Sequence, residues 1–122
     1  MYNRAANVYR QVSIDSAPST RILDELYGAI LSDCRTAAGA IRIRDMETKG
    51  KCISRALAIL NELETALDHR VAPEITQNLS ALYNFVRTRL FTANVNMEAG
   101  ALEDVERVIL PLRDAFQQAA RR

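Results

Sequence analysis

Residues 75–97 carry apolar side chains on more than one face of what their spacing predicts to be a single α-helix. Ile75, Leu79, Leu82, Val86, Leu90 and Ala93 recur at steps of three and four, the spacing that lines one side of a helix. At about 100° per residue, Phe91 and Val95 project to nearly the opposite side, and Phe85 sits at the edge of the stripe. One apolar stripe is enough to seat a helix in a bundle. A second needs a partner of its own, either another helix of this chain or a different protein.

The rest of the chain repeats the helical period. Residues 1–16 form a polar, weakly patterned lead segment, a flexible or capping element containing Tyr2, Val8, Tyr9, Val12 and Ile14. Ser16-Ala17-Pro18-Ser19 then reads as a helix start, with a capping hydroxyl and a proline in the first turn. A first helix over about 18–44 buries Leu23, Leu26, Tyr27, Ile30, Cys34, Ala37 and Ile41. Asp45 is the expected N-cap of a second helix over 46–68, with Ile53, Ala56, Leu57, Leu60, Leu63 and Leu67 as its stripe. Pro73 opens the third, over 73–96. The fourth, over 100–120, presents Leu102, Val105, Ile109, Leu112 and Phe116; Pro111 lies inside it and Leu110 points away from the stripe. Short connections favour antiparallel neighbours, so the expected fold is all-α: an up-down four-helix bundle over 17–122 behind the lead segment.

Several function classes are disfavoured by composition. A formal net charge of +1 over 122 residues is not that of a general nucleic-acid binder, and the short clusters Arg42/Arg44 and Arg121/Arg122 read as solvated surface. No apolar run approaches the roughly 18 residues of a membrane span. The N-terminus lacks the apolar core of a secretory signal, so the chain reads as cytoplasmic. Cys34 and Cys52 read as buried reduced thiols, with a redox pair across a helical hairpin as the alternative. The single histidine, His69, falls just past the second helix. It cannot furnish the paired Glu-x-x-His motifs of a di-metal bundle. Glu62 and Glu64 are adjacent rather than stacked and read as solvated. Phosphate-loop, zinc and nucleophile-elbow patterns are missing from the sequence, so neither catalysis, a metal nor a cofactor is expected.

An ordered set of short segments resembles the landmarks of the flagellar secretion chaperone FliS family. They are Ser16-Ala17-Pro18, Leu26-Tyr27-Gly28-Ala29, Leu60-Asn61-Glu62-Leu63, Leu67-Asp68 and Asn78-Leu79 with Leu82-Tyr83. Arg89-Leu90, Ala93-Asn94, then Leu102, Glu103, Val105 and Leu112-Arg113-Asp114-Ala115-Phe116 complete the series. Phe116 stands where the family commonly has tryptophan. The resemblance covers nearly the whole chain and implies a cytoplasmic bundle that binds the disordered C-terminal segment of flagellin. It further implies that the protein blocks premature polymerisation and assists delivery to the export gate of the flagellar type III apparatus. A tyrosine resembling Tyr9 lies, in the family, over part of the binding surface until the client displaces it.

The residues that would line a client groove are Phe85, Phe91, Val95 and Leu110, flanked by Arg89 and Asn94. The plainer reading makes the apolar four peripheral core, and lets Arg89 and Asn94 pair with neighbouring helices. Tyr27 and Tyr83 sit at stripe edges and are expected as core residues with their hydroxyls reaching the surface. A different function class stays open: an oligomeric structural or regulatory bundle that uses the extra apolar face for self-association. A homodimer and a co-chaperone are open on either reading.

Overall fold

The computed structural model describes residues 20–120, with side chains over 21–118, as four helices. They are α1 (Thr20–Arg42), α2 (Met46–Thr65), α3 (Pro73–Asn96) and α4 (Ala99–Ala120). Tyr9, the Ser16–Ser19 start signal and the terminal arginines lie outside the described residues. The connections over 43–45, 66–72 and 97–98 are short, so each helix turns back along the one before it. α1 packs against both α2 and α4, and α3 closes the ring against α4 and, less extensively, α2. The fold is the expected all-α four-helix bundle.

Local signals set the helix ends. The Asp45 carboxylate accepts from the Thr48 amide at 3.1 Å and from the Thr48 hydroxyl at 2.6 Å, which satisfies an otherwise orphaned donor in the first turn of α2. These two hydrogen bonds, the hydroxyl's first, also hold the Asp45 carboxyl below its ordinary pKa. α1 stops at Arg42, short of Arg44, because Arg44 adopts a left-handed backbone (φ 57°). α3 ends where Met97 turns left-handed (φ 55°) and its amide caps the Ala93 carbonyl. Pro111 is accommodated inside α4.

The core is continuous and apolar, drawing Leu23, Ile30, Cys34 and Ala37 from α1 and Ile53, Ala56, Leu60 and Leu63 from α2. α3 adds Leu79, Val86, Leu90 and Ala93, and α4 adds Leu102, Val105, Ile109 and Phe116. Two expectations fail in α3. Leu82, placed in the core stripe by spacing, comes out at the surface, while Tyr83 is fully buried. The buried series is Thr76, Leu79, Tyr83, Val86, Leu90 and Ala93; it keeps the three-and-four rhythm but is set one position past Leu82. Nor do the tyrosine hydroxyls reach water. Tyr27 and Tyr83 are wholly buried and share a hydrogen bond across the bundle, so each phenol meets its polar requirement inside the core.

Both cysteines are buried and free. Burial first, and then the nearby Glu106 and Asp33 carboxylates, push the Cys34 thiol up to about 12. A thiol held protonated in this way is a packing group rather than a nucleophile at neutral pH.

Gly28 is fixed by a close approach. The Arg113 guanidinium crosses it to meet Asp24 at 2.9 Å, and a Cβ on residue 28 would lie 3.0 Å from that guanidinium. Alanine raises helix propensity by about 1 kcal/mol over glycine but crowds this ion pair. Gly28→Ala is therefore expected to stabilise an Arg113→Ala background by about 1 kcal/mol and the parent by clearly less. Thermal melts of the four proteins of the cycle measure the difference.

Candidate partner-binding surface

With the core complete, the side chains singled out for partner binding remain outside it. Phe91 is 64% exposed, Val95 61%, Leu110 46% and Phe85 45%, whereas peripheral core residues such as Leu57 and Leu112 are half-buried against the core. The plainer reading of the four as core is thus not what the structure shows. They do not form one patch, however.

Residues three or four apart on a helix share a flank, and the ion pairs show which neighbour each flank faces. Arg87 reaches across to α2, donating to Glu64 and, at 3.1 Å, to Asn61. The Asn94 carbonyl accepts from the Lys49 ammonium of α2 at 2.8 Å. Phe91 lies between those two positions, so it stands on the α2 side of α3, with Val95 one turn further on. Met46, at the start of α2, is 56% exposed and faces the same end of the bundle. Beside it, Gly50 and Ser54 help line a shallow open depression on α2. Phe85 stands on the other flank, one turn from Arg89, which donates to Asp104 of α4 at 3.0 Å; the exposed Leu82 is its neighbour. Leu110 is elsewhere again. On α4 it lies between Glu106 and Arg113, which pair with Arg35 and Asp24 of α1.

The structure thus brings Phe91 and Val95 together on one flank, with the exposed Met46 at the same end of the bundle, and separates Phe85 and Leu110 onto two further faces. Arg89, open between client and neighbouring helix on sequence grounds, is committed to Asp104, with Glu98 at 3.9 Å. Asn94 contributes its carbonyl to the join with α2. Glu64, expected as a solvated charge, is half-buried and paired with Arg87. Lys49 was not anticipated at all. It is 5% exposed, and a lysine between acidic and polar residues gives no sequence signal of burial. Met46 was missed because the start of a helix carries too little periodicity to place it.

The chemistry on offer is recognition. Among the described residues no group of three or more His, Cys, Asp or Glu side chains is placed to hold a metal ion. No described helix is long and apolar enough to cross a membrane.

Comparison with known proteins gives this surface a family. The family described as flagellar protein FliS matches residues 1–122. The chain is 33% identical to the flagellar secretion chaperone FliS of Bacillus subtilis over 111 residues, covering 91% of this chain and 82% of that protein. It is 32% identical to the Salmonella typhimurium protein of the same name over 115 residues, with 90% and 85% covered. The Escherichia coli protein of that name is 29% identical over 121 residues, with 95% and 89% covered. The chain belongs to the flagellar secretion chaperone FliS family.

Proposed function

We propose that this protein is a cytosolic export chaperone that binds the disordered C-terminal segment of flagellin. In doing so it prevents premature polymerisation and assists delivery to the cytoplasmic domain of the flagellar type III export gate. One observation carries the reading: a bundle of this family whose core is already complete still exposes phenylalanine and valine side chains at helical spacing. Apolar anchors of that kind suit an amphipathic segment that folds as it binds. Ordering the segment costs several kcal/mol of the gross contact energy, which suits a carrier that must release its cargo.

The separation of the exposed residues onto three faces favours a long, wrapping client over a single docked helix. A segment that touches Phe91 and Val95, Phe85, and Leu110 has to pass across α3 and α4. The self-association reading draws on the same apolar residues, and solution mass tells the two apart. Calorimetric titration with the C-terminal segment of the organism's own flagellin is the direct test. The expected result is saturable one-to-one binding with a negative heat-capacity change, the mark of apolar burial. No heat and no co-elution, with mass rising with concentration, would replace this reading with self-association.

A further inference from the structure

We infer that Lys49 is a positioning residue for the client surface: its ammonium clamps the last turn of α3 to the first turn of α2 and so holds Phe91 and Val95 in place. The inference rests on the proposed client reading. It starts from an anomaly of burial. Lysine is almost never fully buried unless paired, yet Lys49 is 5% exposed, and no carboxylate among the described residues lies within ion-pair distance of it. Its partner is the Asn94 carbonyl at 2.8 Å.

That choice of partner has a physical reason. The last carbonyls of a helix have no amide to accept from, and they carry the negative end of the helix dipole. An ammonium there satisfies one of them and gains from the dipole. The location matters equally. Among neighbouring helices, α2 and α3 share the least extensive contact, so the polar links across this seam weigh more than they would elsewhere. Two such links are Lys49 to Asn94 at one end, and Arg87 to Glu64 and Asn61 further along. Phe91 lies between them in sequence and on the same flank. Past Asn94, α3 has two more residues before the left-handed Met97. Without the clamp the turn that carries Val95 loses its polar tie to α2 and keeps the buried Ala93 as its core anchor, and helix ends with fewer ties open more readily.

The test compares Lys49→Met, which keeps an aliphatic stem but cannot donate, with Lys49→Arg, which can. Ile30→Val serves as a control, because it trims a fully buried α1 side chain away from the seam and costs about 1 kcal/mol. The readouts are affinity for the flagellin C-terminal segment, amide exchange at residues 95–97, and the melting temperature. Lys49→Met is expected to weaken binding and to speed that exchange, each by about tenfold, the size of a lost charge-assisted hydrogen bond. Lys49→Arg should restore most of both. Ile30→Val should bind like the parent despite its lower melting temperature. Parent-like binding or exchange in Lys49→Met would overturn the inference, as would an equal loss of binding in Ile30→Val. If the parent itself fails to bind the segment, the client reading falls and takes this one with it, an outcome distinct from failure of the clamp alone.

Discussion

Phe91→Asp is expected to lower affinity for the flagellin C-terminal segment by on the order of a hundredfold and to leave the bundle folded. The binding loss has two sources. An aromatic anchor at the centre of an apolar contact is typically worth 2 kcal/mol or more on truncation. A carboxylate in its place would, in the complex, sit unpaired against apolar surface, which is costly in itself. About 3 kcal/mol together corresponds to that hundredfold. Folding is spared for a structural reason. Phe91 is 64% exposed, aspartate and phenylalanine have similar helix propensities, and surface substitutions generally stay within about 0.5 kcal/mol. Calorimetric titration and a thermal melt of the same sample check both halves. Binding like that of the parent would remove the α2–α3 face from the client site, and a collapsed melt would mean that Phe91 is structural after all. The companion Leu110→Asp probes the face on α4 separately. If one substitution abolishes binding and the other leaves it intact, the client occupies one face and does not wrap.

The difference between Phe91 and Tyr83 shows how far the sequence reaches. Both are aromatics outside the regular stripe of α3, Tyr83 at its edge and Phe91 on nearly the opposite side, and the first is wholly buried while the second is exposed. Apolar spacing was enough to find four helices, their order and most of the core, since Leu79, Val86, Leu90, Val105 and Ile109 are strongly apolar and regularly spaced. It placed Leu82 in the core and the Tyr83 hydroxyl at the surface, because a 100° step leaves two adjacent residues competing for one stripe. That contest is settled by a partner on another helix, the Tyr27 hydroxyl, which no local pattern encodes. Lys49 and Arg89 were obscured for the same reason. A charged side chain reads as surface until the carbonyl or carboxylate it meets, 45 or 15 residues away in sequence, is known. That Phe91, Val95, Phe85 and Leu110 lie off the core stripes was legible; whether they widen the core or stand exposed is open on sequence grounds and is decided by the packing. Their distribution over three faces was not legible, because it depends on which neighbour each helix flank meets.

Tyr27→Ala is expected to destabilise the bundle by about 5 kcal/mol. The side chain is wholly buried and its ring stacks on Phe116 with centroids 5.6 Å apart. Truncating a buried aromatic to alanine costs about 3–5 kcal/mol through lost transfer energy and the cavity left behind. The hydrogen bond between the Tyr27 and Tyr83 hydroxyls is lost as well, which adds about 1 kcal/mol, the net contribution of a typical hydrogen bond. Against a total stability of about 5–15 kcal/mol for a domain of this kind, such a loss takes the bundle close to unfolding at growth temperature. Urea denaturation followed by helical circular dichroism measures it directly. Tyr27→Phe separates the two contributions, since it keeps the ring and removes the hydroxyl, and should cost about 1–2 kcal/mol. Adding Tyr83→Phe to it should then cost less than the two single changes summed, because the hydrogen bond can be lost once and each phenol's desolvation is relieved with it. A fully additive double variant would mean that the two hydroxyls do not support one another. Phe91→Asp should leave this denaturation midpoint where the parent has it, so the pair of experiments sets the aromatic that builds the bundle apart from the one offered to a client.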